Sequence, residues 1–130
     1  MIIIKMEVTL FDMVLNKKYK LGQFNDLTIG ISPLANVVIP DEKGLAEYVS
    51  GFHCILKQLE DDLVVYDKES KNGTFVNGDR VSSKLGTLVQ DRDLVSLGPY
   101  KFRVHIEYDF KTVLRTPTTS EALKPTEIAK

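Results

Sequence analysis

Cysteine occurs once in this chain of 130 residues, at Cys54, so no disulfide can close within it. That fits an intracellular setting, cytoplasm or nucleus, where thiols stay reduced. Neither sign of charge dominates, with 17 Lys and Arg against 18 Asp and Glu. Nothing marks the whole chain as a polyanion binder, and no nucleic-acid partner is expected, although a local basic patch remains compatible with this balance. Long apolar runs are absent as well. The opening Met1-Ile2-Ile3-Ile4-Lys5-Met6 is too short to span a bilayer, and it lacks the basic start and cleavage site of a secretory signal. No membrane partner is expected. Histidine is scarce: besides His53 there is only His105. His53 and Cys54 are neighbours, so on a strand they point to opposite faces and make no zinc set. The clusters Glu60-Asp61-Asp62 and Asp91-Arg92-Asp93 lack calcium-loop spacing and read as solvated turns. There is no P-loop, no dinucleotide fingerprint and no partner spaced to complete a triad with His53. The expectation is a non-enzymatic chain with no cofactor and no metal.

What the chain does have is a succession of short β patterns. Ile2, Ile4, Met6, Val8 and Leu10 alternate at period two, as in a half-buried strand. Tyr19 and Leu21 mark a second strand after a turn near Asn16, and Leu27-Thr28-Ile29-Gly30 a third. Val37-Val38-Ile39 makes a fourth, stopped by Pro40, which cannot donate to a ladder. A loop follows over residues 41–50, with room for one helical turn at Leu45 to Tyr48. His53 to Leu59 and Leu63 to Tyr66 flank an acidic hairpin turn. Thr74 to Val76, Arg80 to Val81 and Leu94 to Leu97 are further short runs. Gly98-Pro99 then turns the chain into a run that places Tyr100, Phe102, Val104, Ile106 and Tyr108 on one face. Many short strands, frequent turns and no long helical pattern imply an all-β sandwich over residues 1–110. Residues 111–130 are rich in Thr, Ser and Pro and poor in large apolar residues, which predicts a flexible tail or linker.

The most informative stretch is Lys68-Glu69-Ser70-Lys71-Asn72-Gly73-Thr74-Phe75-Val76-Asn77-Gly78, two Asn-Gly pairs around a short apolar run. Asn-Gly between apolar runs is a strong turn signal, because both residues tolerate positive φ. Upstream lie Thr28-Ile29-Gly30-Ile31-Ser32 and Val49-Ser50-Gly51-Phe52-His53. In order and spacing these three blocks resemble the signature of forkhead-associated (FHA) domains: Gly-Arg before a polar loop, Ser-x-x-His, then Asn-Gly-Thr with a trailing Asn-Gly. The resemblance covers roughly residues 2 to 110. It implies a two-sheet β-sandwich of about eleven strands, with recognition loops at one end that bind phosphothreonine.

Carried over residue by residue, the resemblance gives Ser50 the phosphate-donor position and Asn72 the position that holds the ligand backbone. Ile31 stands where the family has its arginine and offers neither donor nor charge. Gly51 stands where a second contact usually comes from, and Lys71, beside Asn72, is the cation closest in sequence to the site. Gly30, His53, Gly73 and Thr74 take loop-bracing roles. From the residues alone, Ser50 also suits a serine that braces its own loop, and Asn72 and Asn77 both suit turn positions. A bidentate arginine cannot be matched by a lysine, which is a point charge. The expectation is therefore a module that recognises a phosphothreonine-containing segment of a partner protein through Ser50 and Asn72. The alternative is a degenerate FHA scaffold that binds a protein without phosphate, or self-associates. Thr116-Pro117 has the form of a proline-directed phosphorylation site, and a phosphorylated tail could reach the loops of a second copy.

Overall fold

Period-two alternation sorts the side chains of the longest strands into two sets, and the buried set faces a second sheet. A computed structural model describes residues 2–42 and 44–112. Lys43 and residues 113–130, with the Thr116-Pro117 site of the expected tail, lie outside the described residues.

Eleven strands follow one another: β1 Ile2–Asp12, β2 Lys17–Gly22, β3 Asp26–Gly30, β4 Val37–Val38, β5 Cys54–Leu59, β6 Asp62–Asp67, β7 Thr74–Val76, β8 Asp79–Arg80, β9 Thr87–Val89, β10 Leu94–Leu97 and β11 Tyr100–Thr112. They form a six-stranded sheet, β2-β1-β11-β10-β7-β8, and a five-stranded sheet, β4-β3-β5-β6-β9. This is the expected all-β sandwich. The first and last strands pair antiparallel from Ile2↔Thr112 to Asp12↔Phe102. A single 3-10 turn, Ala46–Tyr48, interrupts the long loop before β5. Among the described residues no helix is long and apolar enough to cross a membrane.

The core lies between the sheets. Met6, Val8 and Leu10 of β1 and Tyr100, Phe102, Val104 and Ile106 of β11 meet Leu27, Ile29, Leu56, Leu63 and Val65 from the other sheet. The alternation of β11 fails at its far end, where Tyr108 is 43% exposed. β9, Thr87–Val89, was not singled out from sequence: unlike the equally short Thr74–Val76, it is not framed by Asn-Gly turns. Turn chemistry sets the ends. Asp12 Oδ1 accepts the N–H groups of Val14 and Leu15, which closes the β1–β2 turn. Asn77 and Gly78 both adopt positive φ, 51° and 89°, which gives the two-residue hairpin between β7 and β8.

The connections that carry Ile31, Ser50 and Gly51 gather at one end. Gly98, in the β10–β11 turn, sits against Tyr48 closely enough that an added Cβ would lie 2.8 Å from the Tyr48 carbonyl oxygen. Ile31 N–H donates to Ser50 O at 3.3 Å and Ser32 N–H to Gly51 O at 3.0 Å. The loops after β3, β4, β6 and β10 thus form one surface.

Candidate functional site

Gly30 ends β3 where the chain passes under the loop that carries Ser50. A Cβ there would fall 1.9 Å from Gly51 O, so only glycine lets the two backbones approach. The approach makes the Ile31–Ser50 and Ser32–Gly51 backbone bonds. On the far side, Asn36 Oδ1 accepts both Thr28 N–H, at 2.8 Å, and Thr28 Oγ1, at 3.1 Å. That clamp holds the loop between β3 and β4.

His53 lies fully buried between the loop that carries Ser50 and the loop that carries Asn72. Its Nδ1 accepts Ser50 N–H at 3.0 Å, which leaves the proton on Nε2, and Nε2 donates to Gly73 O at 2.8 Å. Burial lowers its pKa below the ordinary value; weaker pulls upward come from the Gly73 carbonyl and Asp67. A neutral ring of fixed tautomer therefore ties the Ser50 loop to the Asn72 loop. Both its nitrogens are engaged, so it has no lone pair free for general-base chemistry.

The second loop hangs from Asp67, at the end of β6. Thr74 Oγ1 donates to Asp67 Oδ1 at 2.7 Å, and Ser70 donates through both its hydroxyl and its N–H. Gly73 N–H in turn donates to Ser70 Oγ at 2.8 Å. Burial alone would raise the Asp67 pKa, but the Ser70 and Thr74 hydrogen bonds, with His53 nearby, hold it below the usual carboxylate value. Burial pushes the neighbouring Cys54 thiol up, so it stays protonated and inert. Asp67 and Ser70 were not singled out from sequence. Their Asp-x-x-Ser spacing is that of a side chain capping a turn, which was the available signal.

Above this brace sit Ser50, Lys71 and Asn72. Ser50 Oγ accepts Lys71 N–H at 2.9 Å. That bond uses a lone pair and leaves the hydroxyl proton available to donate. Asn72 Nδ2 donates to Tyr48 O at 2.9 Å, leaving a second amide N–H and the Oδ1 acceptor exposed. Lys71 Nζ lies 3.4 Å from Glu47 O. The structure thus brings Ser50, Lys71 and Asn72 together, and recruits the Glu47 and Tyr48 carbonyls, which sequence reasoning did not anticipate. Ile31 lies at the same end, half-buried and packed against the core. Gly51 lies beside Ser32, where an added Cβ would make ordinary contact at 3.6 Å, so packing does not require glycine there.

A sequence model of the FHA domain matches residues 27–98, more than half of the chain. The chain belongs to the FHA domain family. A stretch of 95 residues, 67% of this FHA chain, is 28% identical to the probable serine/threonine-protein kinase fhkA of Dictyostelium discoideum, of which it covers 15%. Over 67 residues, 50% of the chain, it is 31% identical to the E3 ubiquitin-protein ligase RNF8 of Rattus norvegicus, covering 14% of that protein. The chain therefore spans only a small part of the length of these relatives. Among solved structures, it is similar to an FHA domain from a structural and functional analysis of phosphothreonine-dependent FHA domain interactions. That similarity has a TM-score of 0.65 at 26% identity, over 76% of this chain and 95% of the other. The FhaA FHA domain, complexed with the intracellular domain of Rv3910, matches with a TM-score of 0.64 at 26% identity, over 75% of this chain and 99% of that one.

Proposed function

We propose that this FHA domain is a protein-interaction module that recognises a phosphothreonine-containing segment of a partner through the loops bearing Ser50 and Asn72. The observation that carries the reading is the Ser50–Lys71 contact. It occupies one lone pair of the Ser50 hydroxyl and leaves the proton available to donate, while the neighbouring Lys71 carries an ammonium and Asn72 an exposed amide. A phosphate is held by such convergent donors, and the Asn72 amide supplies a donor and an acceptor for the backbone of an extended peptide. The family resemblance and the phosphothreonine-dependent interactions described for a similar FHA domain support the same reading. Ile31 provides no donor, so the positive charge falls to Lys71 as a point charge, and affinity should be lower than with a bidentate guanidinium. The fully engaged His53 supports a non-catalytic role.

The test is a titration with a degenerate phosphothreonine peptide library beside its unphosphorylated twin. Phosphate-dependent binding is expected. Ser50→Ala and Asn72→Ala should each weaken it by about tenfold, the loss of one hydrogen bond to a charged or exposed group. Neither should unfold the domain. Equal binding of the twins, or none, would instead support the phosphate-independent scaffold, for which the half-buried Ile31 is the specific motive.

A further inference from the structure

The two sandwich sheets have unlike outer faces, and that of the six-stranded sheet is cationic near the recognition end. Its strand register defines two rows. One runs Lys18–Phe11–Arg103–Leu94 across β2, β1, β11 and β10. The other runs Lys101–Ser96–Phe75–Arg80 across β11, β10, β7 and β8. Neither row holds an acidic residue. Carboxylates enter this face farther along, at Glu7↔Glu107, at Asp109 opposite Lys5, and where Asp91 meets the His105 ring. Among the described residues, Lys18, Lys101, Arg103 and Arg80 have no carboxylate partner, whereas Lys17 pairs with Glu42 and Lys5 with Glu7. All four are exposed.

Two rings support these cations. Lys18 Nζ lies 5.6 Å from the centroid of Phe11, and Arg80 Cζ lies 5.9 Å from that of Phe75. The ring faces that a nucleobase would stack on are thus already occupied by cations, which argues for a ligand recognised through its charge rather than through stacking. The face is also continuous with the candidate site. Gly73, beside Asn72, is so close to the Arg80 guanidinium that an added Cβ would lie 3.1 Å from Arg80 Cζ.

We propose that the outer face of the six-stranded sheet receives an acidic, extended segment flanking the phosphothreonine, held by Lys18, Lys101, Arg103 and Arg80. The proposal rests on the phosphothreonine reading for where that segment starts. Six strands at a spacing of about 4.8 Å make the face roughly 24 Å wide, which an extended chain crosses in about seven residues. Exposed ion pairs are individually weak and screened by salt, so four together should contribute about tenfold at low ionic strength.

The experiment uses three synthetic peptides: a phosphothreonine with neutral flanks, one with acidic runs on both sides, and the acidic sequence unphosphorylated. A single-stranded oligonucleotide is the fourth probe. Binding is measured at about 10 mM and about 150 mM salt, where the Debye length falls from roughly 30 Å to about 8 Å. The acidic phosphopeptide should bind about tenfold more tightly than the neutral one at low salt. The double variant Lys18→Glu, Lys101→Glu should erase that ratio and leave the neutral phosphopeptide unchanged. Ser50→Ala should weaken both phosphopeptides and keep the ratio. If the acidic peptide binds without phosphate and the double variant abolishes this, the face survives while the phosphothreonine site fails. A ratio of one in the wild type, or a ratio that the double variant leaves intact, overturns the proposal. Tighter binding of the oligonucleotide than of the acidic phosphopeptide, lost in the double variant, also overturns it.

Discussion

The same dipeptide occurs twice within seven residues and does different work each time. At Asn77-Gly78 both residues take positive φ, and both ends of the Asn77 amide are bonded within the protein. Its Nδ2 donates to Asp93 Oδ1 at 2.9 Å, and its Oδ1 accepts Leu94 N–H at 2.9 Å. At Asn72-Gly73 only the glycine has positive φ, 88°, and the asparagine amide stands exposed with one bond to Tyr48 O. One pair is a hairpin turn pinned to the next loop; the other is an exposed loop that, in the proposed function, displays its amide to a ligand. The difference comes from what lies beneath. Asn72 is carried by buried polar groups, Asp67 and His53, that hold the loop so its own side chain need not. A module that presents polar groups to a partner must hold them without saturating them, and the brace separates those two tasks.

The sharpest way to break the comparison is to remove the brace from one side only. Asp67→Ala should destabilise the domain by about 3 kcal/mol, because the fully buried Thr74 hydroxyl and the Ser70 donors lose their acceptor. Urea unfolding reads the loss, and phosphopeptide binding should fall further than stability alone explains. A loss under about 0.5 kcal/mol would mean water replaces the carboxylate at no cost, and the loop is held elsewhere.

Next come the asparagines themselves. Asn77→Ala should cost about 1–2 kcal/mol, from two lost hydrogen bonds and a positive φ that alanine adopts poorly. Asn72→Ala should cost less than about 0.5–1 kcal/mol in stability, since its single bond is exposed. Peptide affinity should respond in the reverse order. Matching effects of the two variants on both readouts would erase the distinction drawn here.

Sequence carried most of the fold because strand alternation and turn residues are local signals. The β1 and β11 patterns, the Asn16 and Glu60 turns and the hairpin at Asn77-Gly78 all follow from them, and Asn16 and Glu60 do adopt positive φ. β9 escaped because no paired Asn-Gly turns frame it as they frame the equally short β7, and its partners on β6 are distant in sequence. The loops bearing Ser50 and Asn72 were legible as a set through the family motif, but their support was not. The Ser50–Lys71 contact joins residues 21 apart and the His53–Gly73 contact residues 20 apart. The two Asn-Gly pairs look alike in sequence for the same reason: the groups that distinguish them, Asp93 and Tyr48, come from elsewhere in the chain.

Ile31→Arg sharpens the ligand-facing side. Ile31 lies beside Ser50 through its backbone bond and is only half-buried, so a longer polar side chain can extend toward the loop tips. Restoring a guanidinium should tighten phosphothreonine binding by about tenfold, or about 1.4 kcal/mol, with a steeper dependence on salt. Stability should fall slightly as the isoleucine leaves the core edge. If affinity for the phosphopeptide is unchanged while an unphosphorylated partner is lost, this position belongs to an apolar contact.

The smallest effect separates the two Asn-Gly loops by pH. Burial holds the His53 pKa below its ordinary value of 6.5. As pH falls through that value, the unfolded chain takes up the proton first, while the folded ring stays neutral to accept Ser50 N–H. The unfolded state then binds more protons than the native state, so the stability that His53 contributes is complete above about pH 6.5 and is lost progressively below it, until the folded pKa is reached. One proton limits the slope to about 1.4 kcal/mol per pH unit. Asp67 acts in the same direction but only nearer its ordinary value of 3.8, since its folded pKa is also lowered. Between these values the acid response should come from His53 and should disappear in His53→Gln. Amide hydrogen exchange locates it. The Ser50 and Lys71 N–H groups, which hang from the imidazole directly and through Ser50, should lose protection as pH falls from about 6.5 to about 5, after correction for intrinsic exchange. Leu94 N–H, held by Asn77, should not. Equal loss at both loops would mean that the histidine brace stabilises the sandwich as a whole rather than the display loop it touches.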